Sequence, residues 1–332
     1  MPLLRHALLA SSRLTRPLNP VGILAARMST DPTKYKFNHT MLRVKDPQAS
    51  LKFYNFLGMS LVHTLKNPDL KFDLYFLAYD GAQSVSKKNH WTDREGVLGL
   101  THNHGTEKNV NGNTDPSRGF GHVCVSVDNI QAACSRLADA GYRFQENLTD
   151  GRMKHIACAL DPDGYRVEIM PFNPIDETQD VAETSVETYR MNRTTIRVKD
   201  IEKSLAFYED IMGMTLVRTR ENPDEKFNLY FLRYGRVPSY SEMTATPGQN
   251  PNIDEEGLLE LTYNYDTELD PVQVPRWERR AAGACARWDR LGVKWKKRLT
   301  DEKMRNSAFI LDPDNYCIEI VQNETLKKHA DQ

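Results

Sequence analysis

Apolar and polar positions alternate along the chain first with a period of two, then at helical spacing, then with a period of two again, and this order recurs. Residues 36 to 103 predict a β-branched strand around MLRV, followed by an amphipathic helix with Asp46 as its cap and Pro47 in its first turn. Three strands come next, around LVHTL, FDLYFLAY and VLGLTH. Residues 120 to 171 repeat the order. A strand HVCVSV leads into a helix opened by Asp128, carrying Ala133 and Leu137 on one face and ended by Gly141. Strands near YRFQENL, HIACALD and RVEIM complete the set. The apolar stripes ASLKFYNF and KSLAFYED read as core packing.

The second half duplicates the first. HTMLRVKDPQASLKFYNFLGMSLV returns as RTTIRVKDIEKSLAFYEDIMGMTLV, NPDLKFDLYFLAY as NPDEKFNLYFLRY, and EGVLGLTHN as EGLLELTYN. LTDGRMKHIACALDPDGYRVEIM returns as LTDEKMRNSAFILDPDNYCIEIV. Such a repeat identifies the structural unit before any motif does. The expected fold is α+β, four βαβββ modules in two pairs, at 35–173 and 190–325, joined by an exposed acidic linker at 174–189. A small curled sheet cannot bury its concave face alone, so modules should pair and enclose a cavity between two sheets.

Composition narrows the function. A length of 332 residues suits two ordinary domains. A net charge of -1 with 27% charged residues gives no field to recruit nucleic acid or an acidic membrane. No apolar run approaches the eighteen or so residues that cross a bilayer. Five cysteines, an odd number without a CxxC pair, argue against a disulfide framework or zinc ribbon and for a reducing compartment. Residues 1 to 30 hold Arg5, Arg13, Arg16 and Arg27, with no acid before Asp31, which is the composition of a mitochondrial presequence. The alternative is a cytosolic protein starting at Met28.

LRVKDP, KFDLYFL, LTHNHGTE, RGFGHV and DPDGYRVEI together resemble glyoxalase I of the vicinal-oxygen-chelate superfamily, in its two-domain fungal form, over about residues 35 to 325. The resemblance implies two glyoxalase-type domains forming an intramolecular pseudo-dimer in a monomer. It also implies a metal-dependent lactoylglutathione lyase acting on the hemithioacetal of methylglyoxal and glutathione. In that family each module supplies one ligand from its first strand and one from its last. Carried over, one site would join modules two and three through His122, Glu168, Glu260 and, in a ligand's place, Arg193. The other would join modules one and four through His39, Gly99, Glu319 and a position that no histidine can fill, because after His155 the chain has only His329.

These departures have physical weight. A lost ligand costs several kcal/mol, against apparent totals of roughly 10 to 16 kcal/mol for full zinc sites. The site of modules one and four is therefore expected to be without activity. Arg193 is permanently charged and has no lone pair to donate. It stands within reach of Glu260, and their pairing would withdraw a second ligand. Three protein ligands and water still suffice for many catalytic metals.

The implied chemistry is proton removal beside a carbonyl, an enediolate stabilised by a divalent ion, and proton return to the neighbouring carbon. Glu168 is the expected base, with its basicity raised by burial, and Glu260 faces it. Zinc is the expected ion, with nickel, cobalt or manganese as alternatives. The family pattern gives substrate contacts to Arg43, Asn103, Arg118, Arg197 and Asn264, and to Arg152 and Met153 of a mobile loop. His102 and His104 read as loop residues. Two rival readings remain: a non-catalytic paralogue binding glutathione conjugates, and, ranked last, a dioxygenase needing two histidines and a carboxylate on iron. The second half has no equivalent of RGFGH between Asn264 and Cys285, so its second module reads as broken, which a misread exon near residues 266 to 284 would also explain.

Overall fold

The computed structural model describes residues 31, 34–106, 111–113, 119–148, 155–172, 183–235, 252–269, 288–289, 291–298, 307–323 and 327. The presequence-like segment, most of the linker, Arg118, Arg152, Met153 and residues 270–284 lie outside them.

Module one comprises β1 (His39–Arg43), α1 (Pro47–Phe56), β2 (Ser60–Asn67), β3 (Phe72–Ala78) and β4 (Val97–Asn103). Module two comprises β5 (Phe120–Val127), α2 (Ile130–Asp139), β6 (Phe144–Glu146), β7 (Ala157–Leu160) and β8 (Arg166–Pro171). Module three follows the same plan with β9 (Arg190–Val198), α3 (Ile201–Ala206), β10 (Thr215–Asn222), β11 (Phe227–Arg233) and β12 (Leu258–Asn264). The described part of module four holds β13 (Lys294–Lys297), β14 (Ser307–Leu311) and β15 (Cys317–Val321). The architecture is α+β.

Local chemistry sets the helix starts. The Asp46 carboxylate accepts from the Gln48 and Ala49 N–H groups, with Pro47 following where its missing N–H costs nothing. The cap of α2 is Asn129, not Asp128: its side chain accepts from Ala132 N–H at 3.1 Å. Asp128 is engaged elsewhere, accepting from the Thr184 hydroxyl at 2.5 Å and Ser185 N–H at 2.9 Å.

Modules two and three share one eight-stranded sheet in the order β10-β11-β12-β9-β5-β8-β7-β6. In place of the expected cavity between two sheets, modules two and three offer one face of a single continuous sheet, joined where β5 and β9 run antiparallel. First and last strands of each complete module pair in parallel, which puts both candidate ligand positions near the centre of that sheet. Module one forms its own sheet, β1-β4-β3-β2, and β13-β14-β15 form a third.

Two cores lie behind these sheets. One gathers Leu42, Phe53, Tyr54, Leu98, Val125, Leu137 and Ile169 from modules one and two. The other gathers Ile196, Phe207, Leu232, Leu261, Trp295 and Ile310 from modules three and four. The chain entering each half packs on the opposite core: Tyr35 and Phe37 on the second, Tyr189 and Met191 on the first. A fully buried aromatic such as Tyr189 contributes about 1.5–3 kcal/mol, so this exchange binds the halves firmly.

The apolar stripes are more than packing. Tyr54 donates its hydroxyl to Asp161 Oδ2 at 3.0 Å, and Tyr208 donates to Asp312 Oδ2 at 2.8 Å, tying each stripe to the DPD turn of the partner module. At the pseudo-twofold between the halves the equivalent Thr40 and Thr194 hydroxyls share a hydrogen bond. Gly96 and Gly257 meet there at φ +67° and +76°. A Cβ on Gly257 would stand 2.7 Å from Glu95 Cβ, and one on Gly96 2.9 Å from the Met191 carbonyl, so only glycine admits this approach. Among the described residues no helix is long and apolar enough to cross a membrane.

Candidate functional site

Strand alternation decides which side chains can meet. On β9, Arg193, Thr195 and Arg197 point to one face of the sheet, and on β12 Glu260, Thr262 and Asn264 share it. On the far side of the β5–β9 seam, His122 and Glu168 reach the same place. The structure thus brings His122, Glu168, Arg193 and Glu260 together.

Arg193 organises the group. Its Nε donates to Glu260 Oε2 at 2.6 Å and its Nη2 donates to Glu168 Oε1. Nη1 donates to Asn192 Oδ1 at 3.0 Å, and Nη2 also approaches Met170 Sδ at 2.9 Å. Glu260 is 2% exposed and Arg193 6%, so the pair is buried and held by a fork of charge-assisted bonds. The pairing with Glu260 anticipated from their spacing is present, and Glu168 is drawn in as well.

His122 Nε2 lies 3.4 Å from Glu168 Oε2 and 2.9 Å from Thr195 Oγ1. Two donors each about 2.0–2.1 Å from a tetrahedral zinc stand roughly 3.3 Å apart, so His122 and Glu168 are spaced as ligands of one ion. Glu260 is not available to complete the set while Arg193 holds it. Burial opposes ionisation of Glu168, but His122 and Arg193 outweigh it and hold the carboxyl below the usual range. Its basicity is therefore lowered, against the expectation from burial alone, because the cations beside it dominate. Burial likewise opposes the Arg193 charge, yet Cys124, Glu260 and Glu168 raise its pKa further. Beside Arg193, a small cleft is bordered by Arg218, Phe231 and Ile253.

The other interior position is simpler. His39 Nε2 lies 3.5 Å from Glu319 Oε2. Burial opposes ionisation of Glu319, but its hydrogen bond and charge contact with His39 hold it below the ordinary carboxylate range. A Cβ on Gly99 would lie 2.7 Å from Met41 Sδ, so Met41 fills the space a side chain there would need. Two donors converge here, matching the count from sequence.

The proposed substrate contacts are distributed. Arg197 and Asn264 share the face of Arg193, and Arg197 Nη1 donates to the Phe120 carbonyl at 2.6 Å and to Asn113 Oδ1 at 3.2 Å. Arg43 is exposed at the end of β1, and Asn103 lies at the end of β4. Sequence reading missed Thr195 and Asn192, which hold His122 and Arg193; their places two on from and one before Arg193 were the available signal. His102, expected in a loop, lies on β4, whereas His104 does lie in the turn that follows, with its Nε2 3.3 Å from Asp73 Oδ2.

Residues 36–169 and 190–320 each match the family model of the Glyoxalase/Bleomycin resistance protein/Dioxygenase superfamily. The chain is 40% identical over 317 residues to a lactoylglutathione lyase of Schizosaccharomyces pombe, covering 89% of this chain and 99% of that protein. It is 38% identical over 333 residues to glyoxalase I of Saccharomyces cerevisiae, covering 89% and 98%. The crystal structure of glyoxalase I from Zea mays shares the fold, with a TM-score of 0.59 at 24% identity, covering 89% of this chain and 95% of that one.

Proposed function

The chain belongs to the Glyoxalase/Bleomycin resistance protein/Dioxygenase superfamily, and from that premise we propose that it is a lactoylglutathione lyase. The observation that carries this reading is 40% identity to a lactoylglutathione lyase across nearly the whole of both chains. The substrate would be the hemithioacetal of methylglyoxal and glutathione, and the product S-lactoylglutathione.

Glyoxalase I enzymes depend on a divalent metal. As the side chains stand, the interior residues do not fit one: Arg193 puts a fixed positive charge between the two carboxylates that would hold it. Zinc is the ion proposed for a set of one imidazole and two carboxylates, and Arg193 would have to turn away to admit it. Glu168 is the proposed base. Kept ionised by His122 and Arg193, it takes the proton from the hydroxyl-bearing carbon, leaves an enediolate, and returns the proton to the neighbouring carbon. Thr195 holds the His122 ring in place from the same face. Arg197 and Asn264, farther along that face, are the proposed contacts for the glutathione carboxylates. The two halves would serve as an intramolecular pseudo-dimer in a monomer, and the arginine-rich N-terminus would direct the protein to mitochondria.

The test is thioester formation from methylglyoxal and glutathione by the purified chain, alongside its metal content. Turnover is expected. Metal-free protein with no turnover after zinc or nickel loading overturns the reading. The buried Arg193 bridge favours one second reading, a paralogue that binds glutathione conjugates without converting them; calorimetric binding of S-lactoylglutathione with no turnover would establish it.

A further inference from the structure

At one end of the β3–β4 pair, Asp73 stands opposite His102 in the antiparallel register. The next turn closes with His104 N–H donating to the Lys71 carbonyl at 2.8 Å, which places the second imidazole beside them. His104 Nε2 is 3.3 Å from Asp73 Oδ2, and the two histidine rings have centroids 5.5 Å apart. One donor atom from each of the three residues lies within 4.8 Å of the others, the sole such trio among the described residues. The cluster is not part of the interior site. Leu98 and Leu100 point into the first core, so His102 continues that face, whereas Gly99 and Asn103 occupy the opposite one.

The duplication supplies an internal control. The same three positions in the second half are Asn228, Tyr263 and Tyr265, so all three donors have changed together. There the corner is closed by hydrogen bonds alone: Tyr265 donates to Asn228 Oδ1 at 2.9 Å and Tyr263 to Glu268 Oε2 at 2.7 Å. The geometry of the backbone is kept, and only the first half carries two imidazoles and a carboxylate on it. The 3.3 Å spacing is that of two ligands on one tetrahedral ion, roughly 3.3 Å for bonds of about 2.0–2.1 Å. His104 is exposed, which gives an ion a way in and leaves room for water to complete the shell.

We propose that Asp73, His102 and His104 form a second metal site, on the opposite face of the sheet from the interior positions, taking a divalent d-block cation. Imidazole with one carboxylate selects zinc, nickel or copper over calcium or magnesium. A bound ion would pin the end of β4 to β3 and brace Asn103 between its two ligands.

The test is zinc titration of the full chain by calorimetry, with cobalt absorption as a second readout. The variant D73N/H102Y/H104Y installs side chains that the second half already carries at these positions, so it is expected to fold. Wild type should bind one zinc more than this variant, and Asp73→Asn alone should weaken that equivalent by at least about tenfold, the lower bound for losing even an outer partner. The converse variant N228D/Y263H/Y265H should gain one equivalent. Equal zinc stoichiometry in wild type and the first triple variant overturns the proposal and leaves a His–Asp ion pair. Because the readout is binding, turnover at the interior site can be present or absent without affecting it.

Discussion

The interior position of modules two and three and that of modules one and four began as copies, and they have diverged in opposite ways. At the first, three donors remain and an arginine has been added: Arg193 bridges Glu168 and Glu260. At the second, donors have been lost and nothing charged has replaced them, so His39 and Glu319 face each other beside Met41. A site with surplus carboxylates must be neutralised by some cation, because buried unpaired charge is costly. A site that has lost a carboxylate carries no such demand. Arg193 is thus the counter-charge that two buried glutamates require when no divalent ion is present.

The sharpest way to break this contrast is through activity. Glu168→Gln should reduce turnover by about 10²–10⁴-fold, the scale of a removed general base, and Glu319→Gln should give the smaller loss in the same thioester assay. Equal losses would mean that both positions work. Next in size, Arg193→Gln strands Glu260 without its cation and should destabilise the metal-free protein by about 3–5 kcal/mol in urea unfolding. Added zinc should restore much of that, whereas wild type should gain little; an unchanged unfolding midpoint in the variant would remove Arg193 as counter-charge. Arg193→His, which copies His39, should raise zinc affinity at calorimetry. Outside the sites, Tyr54→Phe and Tyr208→Phe should each cost about 1–3 kcal/mol by leaving a buried carboxyl short of a donor.

The smallest effect concerns pH. Burial, the leading cause, pushes Asp161 up to about 6 and Asp312 up to about 7. A raised folded pKa means that the unfolded chain gives up its proton first. The stability tied to each group is therefore full below about 4, the unfolded value, and is lost as pH rises through the folded pKa. The unfolding free energy should therefore fall between about pH 4 and about pH 7, by at most about 1.4 kcal/mol per pH unit for each group, and level off above. Asp312→Asn should flatten the upper part of that slope, and an unaltered slope would count against the burial of Asp312.

The modules were legible because period-two and helical spacing alternate cleanly, and because the duplication let each segment be checked against its copy. The helix start at Asn129 was not, since Asp128 and Asn129 are both good caps and only the competition of Thr184 and Ser185 for Asp128 decides between them. The hydroxyl roles of Tyr54 and Tyr208 were hidden in stripes whose apolar content was correctly read. At the site, the candidate ligand positions follow from register within a module. The reach of Arg193 to Glu168 depends on β9 pairing antiparallel with β5, a contact between modules that no local pattern encodes. The pairing of Asp73 with His104 escaped notice because it joins β3 to the turn after β4, a contact far apart in sequence.

The contact of Thr40 with Thr194, and of Gly96 with Gly257, joins two copies that share one polypeptide. In an assembly of separate identical subunits, a mutation at a symmetric contact strikes every site at once, and dilution can pull the partners apart. Covalent linkage removes both constraints. The tethered copies stay at high effective concentration whatever the protein's abundance, and a single codon change reaches one site alone. An arginine at position 193 and a histidine at its twin, position 39, is an asymmetry that identical subunits could not inherit.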